Sequence, residues 1–219
     1  MKHLLLSFVA AFAMVMPAKS QDYLFDNPDN HSYFGVRLGL DVNSFNGKGD
    51  RYGAKPGFNL TGIYNLPLWK NLYFEPGIGI FYNAASIDAY SNEGSEILSD
   101  GSVRNIGFRI PFKFGYRLDI TDDVSVHLFT GPQINYNMTF GTYYNGTKAS
   151  NQSALDFNRF DLQWNLGIGA DYHNYYAYIE GGIGISHIIQ NKSIAYNEQL
   201  LWFPEAKRNL FTIGIGYNF

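Results

Sequence analysis

The chain has 219 residues, a formal net charge of −3 and only 16% charged residues, which leaves no basic footprint for nucleic acid. It contains no cysteine, so disulfides, thiolate catalysis and cysteine metal sites are excluded together. Aromatic residues reach 17% and there are 23 glycines, a mixture that suits a sheet with one greasy face better than a soluble enzyme.

In chain order, Met1, Lys2 and His3 form a short basic segment, and the run from Leu4 to Met16 is apolar throughout. Pro17 breaks that run, and Ala18-Lys19-Ser20 supplies small residues for cleavage before Gln21. Such a run is shorter than the roughly 20 residues a membrane-spanning helix needs. Residues 1–20 are therefore expected to be a signal peptide, 21–32 a periplasmic lead-in, and 33–219 one domain.

That domain reads with period two. Phe34, Val36, Leu38, Leu40 and Val42 share one face of the first strand, while Gly35, Arg37, Gly39 and Asp41 share the other. Ile106 to Tyr116 repeats the scheme, with large apolar residues at even positions and Gly107, Arg109, Pro111, Lys113 and Gly115 between them. Strands are predicted at 33–43, 56–66, 71–83, 104–118, 123–138, 158–172, 175–188 and 207–219. Long loops at 44–55, 84–103, 139–157 and 189–206 alternate with tight turns at 67–70, 119–122 and 173–174. An even strand count with long loops at one end and short turns at the other predicts an all-β fold, an eight-stranded antiparallel up-and-down transmembrane β-barrel. Both termini then lie at the short-turn end, expected to face the periplasm of a Gram-negative outer membrane.

A soluble barrel would place its apolar face inside and carry Lys, Glu and Thr outside. Here the polar face holds more than half of the glycines, as the crowded interior of a narrow barrel requires. The same face carries Arg37, Arg109, Lys113 and Arg117 against Asp41, Glu75, Asp161 and Glu180. Eight strands leave room only for side chains, so these charges are expected to pair in a ladder across the lumen. Two readings follow from it: a structural plug, or a gated path for ions in which the pairs rearrange. Trp69 and Tyr73 are expected in the periplasmic aromatic girdle, and Tyr143 and Tyr144 at the outer rim. Leu201, Trp202 and Phe203 form the most apolar stretch of the last loop, expected as an exposed patch against the barrel lip or a partner protein.

The chain ends on Thr212, Gly214, Tyr217 and a terminal Phe219, a pattern similar to the signal read by barrel-assembly machinery, to which a last strand with an open edge would add. Phe34 to Leu40, Pro56-Gly-Phe58, Ile110 to Tyr116, Thr130-Gly-Pro132, Leu166 to Ala170 and Gly182 to Ile185 resemble the PorT-like outer-membrane β-barrel domain family of Bacteroidetes, small barrels of the OmpA/OmpX type. That resemblance implies an outer-membrane location and specifies architecture rather than activity.

No catalytic, cofactor or metal site is predicted. His31, His127 and His173 are expected near the periplasmic end as interfacial polar groups; His187 is the one histidine expected near the exterior, and its neighbour Ser186 points to the opposite face. Asp88, Glu93, Glu96 and Asp100 match no metal-loop spacing. The expected role is a non-enzymatic membrane protein, structural or binding through its loops, with outer-membrane lipid, assembly machinery and a loop-bound protein as partners. A narrow gated pore, an accessory barrel of a secretion complex and a rim enzyme acting on lipid or peptide are the competing roles.

Overall fold

The computed structural model describes residues 31–47, 52–90, 96–121, 123–144, 146–148, 156–190, 192–196, 199–203 and 205–219; for 88–90, 96–100, 144, 192–196 and 199–202 it describes the backbone only. Residues 1–20, expected as a signal peptide, and nearly all of the expected lead-in lie outside the described residues.

Twelve strands are described: β1 (Tyr33–Gly47), β2 (Tyr52–Trp69), β3 (Leu72–Tyr90), β4 (Glu96–Asp119), β5 (Val124–Tyr144), β6 (Thr147–Lys148), β7 (Phe160–Tyr172), β8 (Tyr175–Gly184), β9 (His187–Ile189), β10 (Lys192–Tyr196), β11 (Gln199–Phe203) and β12 (Ala206–Asn218). Eight of them, β1, β2, β3, β4, β5, β7, β8 and β12, pair in that order, and β12 pairs back onto β1 to close the barrel. Closure leaves no open edge, which hydrocarbon would penalise by several kcal/mol per unpaired backbone group.

Alternation decides which face is inside. Leu40 is 70% exposed and its neighbour Asp41 1%. The same inversion runs round the barrel, with Ile80, Phe114, Leu166, Ile168, Ile213 and Ile215 outside and Arg37, Glu75, Arg109, Asp161, Glu180 and Thr212 buried within. An apolar exterior around a polar core is the reverse of a soluble barrel, and it is what a lipid solvent selects.

The strands at the long-loop end run further than predicted. β4 has 24 residues, about twice the 9–11 that span a bilayer. Much of 84–103, expected as loop, pairs between β3 and β4 from Ala84↔Arg104 to Ile87↔Gly101. Asp, Gly, Asn and Ser read as loop residues, yet above the membrane a ribbon needs only backbone pairing, which those side chains do not prevent. At the other end the turns are tight. Lys70 (φ 50°) and His173 (φ 53°) open two-residue hairpins in the left-handed region, where the hairpin twist places them.

A filled lumen beneath an apolar cap

Several glycines of the inner face are seats for aromatic rings. Tyr73 lies over Gly115, Phe81 over Gly107, Phe129 over Gly167, Tyr176 over Gly169 and Tyr178 over Gly214; in each case a Cβ would overlap the ring. Four of the five pairs are direct cross-strand neighbours, so the register itself sets each ring above bare backbone. Tyr73 was expected in the interfacial girdle but is 4% exposed inside the barrel, because it stands two residues before Glu75 and shares its face.

The rings in turn carry the cations. The Arg37 guanidinium lies 4.1 Å from the Tyr176 centroid, and Arg109 and Arg208 lie 5.4 and 5.2 Å from that of Phe81. Lys113 Nζ is 4.5 Å from Phe129 and 5.5 Å from Tyr178. Each cation then faces a carboxylate across the lumen. Arg109 Nη2 donates to Asp41 Oδ2 at 2.6 Å, Lys113 pairs with Glu180, Arg37 Nη2 is 3.6 Å from Glu75 Oε2, and Arg208 Nη2 is 3.6 Å from Asp161 Oδ2.

Amides and hydroxyls occupy further acceptor positions of these carboxylates, as burial demands. Asp41 Oδ1 accepts from Asn59 Nδ2 and Thr212 Oγ1, both at 2.7 Å. Asp161 accepts from Asn135 and Asn137, each at 2.8 Å, and Glu180 from Asn165 at 3.0 Å.

The layer nearest the short turns was not anticipated. His127, expected as an interfacial polar group, is 2% exposed, with Nε2 2.5 Å from Asp171 Oδ2 and its ring between the edges of Tyr73 and Tyr176. Asn218 Nδ2 donates to Asp171 Oδ1 at 3.1 Å, and Arg37 Nη1 donates to Asn218 Oδ1 at 2.7 Å, linking this layer across the β1–β12 seam. Arg117, expected in the ladder, sits instead at the mouth, partly exposed and bonded to Asp119 and Ser125. Arg208 was missed altogether. Its signal was present, since it lies two residues from Leu210 and four from Thr212 on one strand face.

Apolar side chains pack together at the long-loop end. Phe45, Ala85, Ile87, Val103, Ile188, Ile189, Phe203 and Ala206 form one buried cluster. Phe203, expected to be exposed, is fully buried in it, because the β10–β11 hairpin brings its last residue back to the mouth just before β12. The side chains of Leu201 and Trp202, and of Asp88, Glu93, Glu96 and Asp100, lie outside the described residues. His187 is exposed, 3.7 Å from Glu205. At the other end, the Phe219 backbone N–H donates to the Phe34 carbonyl at 2.8 Å, and Tyr217 packs edge-on against both Phe219 and Tyr175. Among the described residues no group of three or more His, Asp or Glu could hold a metal.

A closed antiparallel barrel, apolar outside and polar within, defines a transmembrane barrel of the outer-membrane type. The family described as outer membrane protein beta-barrel domain matches residues 20–190, and the chain belongs to that family. It is an outer-membrane β-barrel protein. No curated protein matches it in sequence. Among solved structures it is similar to Ail, the attachment invasion locus protein of Yersinia pestis, at 15% identity over 87% of this chain and 100% of that one, TM-score 0.45. It is also similar to a major outer membrane protein from Thermus thermophilus, at 15% identity over 87% and 100%, TM-score 0.49. A third is OprG from Pseudomonas aeruginosa, at 13% over 86% and 95%, TM-score 0.47.

Proposed function

We propose that this protein is a non-enzymatic, non-conducting anchor that presents its long-loop end outside the cell for binding or adhesion, with both termini in the periplasm. The observation that carries the reading is the lumen: stacked layers of glycine, ring, cation and carboxylate, sealed above by the cluster around Phe203. Opening a continuous path would require breaking buried ion pairs and unpacking an apolar cap together. Specificity then falls to what projects beyond the lipid, above all the extended β3–β4 ribbon and the β10–β11 hairpin. The aromatic C-terminal strand is proposed to be what assembly machinery reads. Swelling of proteoliposomes in isotonic arabinose tests the closed lumen. Vesicles with the protein are expected to swell no faster than lipid alone, and solute-dependent swelling would overturn the reading in favour of a pore.

A further inference from the structure

A groove of about 270 Å³ lies on the barrel wall between β4 and β5, at the edge of the apolar belt toward the long loops. Its membrane side is Tyr82 and its register partner Ile106, the latter 49% exposed. Its other side is Arg104, Tyr143 and Lys148, with the guanidinium 4.6 Å from the Tyr143 ring centroid. Apolar surface below and cationic surface above is the polarity of a lipid at the membrane boundary.

The cationic end is built rather than incidental. Gly141 is the register partner of Arg104, and a Cβ on it would stand 2.6 Å from Tyr143 Cε2, so the bare backbone lets that ring lie flat beneath the guanidinium. Lys148 is the register partner of Tyr143 and brings a second exposed cation to the same groove. The four lumen cations each face a carboxylate; among the described residues Arg104 and Lys148 face none. The volume falls just under the ~300–1,000 Å³ of enclosed small-molecule pockets, which suits a headgroup whose chains stay outside in the bilayer.

We infer that this groove binds the phosphate headgroup of an anionic membrane lipid, with Arg104 and Lys148 on the phosphate and the acyl chains along Ile106 and Tyr82. A stacked, held guanidinium binds a phosphate at lower entropic cost than a free side chain, and two cations favour a phosphorylated over a neutral lipid. Lipid binding at this groove is independent of whether the lumen is closed, which swelling and conductance test separately.

The test is native mass spectrometry of the full-length, detergent-refolded protein with bisphosphorylated lipid A, its dephosphorylated form, or inorganic phosphate. The phosphorylated lipid is expected to be retained about thirtyfold better than the dephosphorylated one, scaled from two surface cations. The R104Q/K148Q variant should fall to the dephosphorylated level and Arg104→Lys should fall between the two, since it keeps the charge but loses the stacked guanidinium, with all variants showing the heat-dependent gel shift of a folded barrel. Millimolar inorganic phosphate should not displace the lipid. Equal retention of both lipids, unchanged retention in the double variant, or full displacement by free phosphate would each overturn the inference.

Discussion

Arg109 of β4 donates to Asp41 of β1 across the lumen at 2.6 Å, joining residues 68 apart in sequence. Asp41 also holds Asn59 of β2 and Thr212 of β12, so one carboxylate ties four strands together. Removing it leaves a buried guanidinium with no counter-charge. Asp41→Ala is expected to destabilise the barrel by about 3–5 kcal/mol, and the double variant D41L/R109M by clearly less, because it removes both charges. Urea unfolding in phospholipid vesicles, followed by tryptophan fluorescence, measures both.

Gly115 is the seat of Tyr73. Gly115→Ala is expected to cost about 1–3 kcal/mol by overpacking the ring, and adding Tyr73→Ala should return part of that cost. A double-mutant cycle on the same unfolding signal reads the coupling; strictly additive effects would mean the ring is not held there.

Phe203 pins the β10–β11 hairpin to the mouth. Phe203→Ser should release the hairpin locally while the barrel stays folded, because the strands below keep their pairing. Trypsin cleavage within 190–206 is then expected to speed up by about tenfold, corresponding to ~1.4 kcal/mol of local opening, with the heat-dependent gel shift unchanged.

Deleting Phe219 removes a main-chain bond to Phe34 and one ring of the outward aromatic pair with Tyr217. The assembled fraction in cells, scored by the gel shift, should drop severalfold. Refolding of the purified chain in detergent should be nearly unaffected if the residue acts as a signal to assembly machinery.

Period two made the two faces legible, and with them the inward positions of Arg37, Asp41, Glu75, Arg109, Asp161 and Glu180, all buried, and of Lys113, which reaches Glu180. Which cation meets which carboxylate was not legible. Arg109 finds Asp41 only through the stagger of the closed sheet, and stagger is a property of all the registers together. Tyr73 and His127 were misplaced because aromatic and polar residues near a strand end suit an interface by composition, whereas alternation from Glu75 and Phe129 sets both inside. Phe203 was misplaced for a different reason. An apolar run in a loop looks exposed until the chain is known to turn back over the mouth, and that turn depends on tertiary contact with Phe45 and Ile87.

Planar-bilayer recording of the purified protein reads directly whether the lumen is filled and closed. The baseline is expected to be indistinguishable from lipid alone at either polarity. Reproducible, steady single-channel steps from the unmodified protein would contradict it, and would mean that the pairs Arg109–Asp41 and Lys113–Glu180 separate to leave a continuous aqueous path.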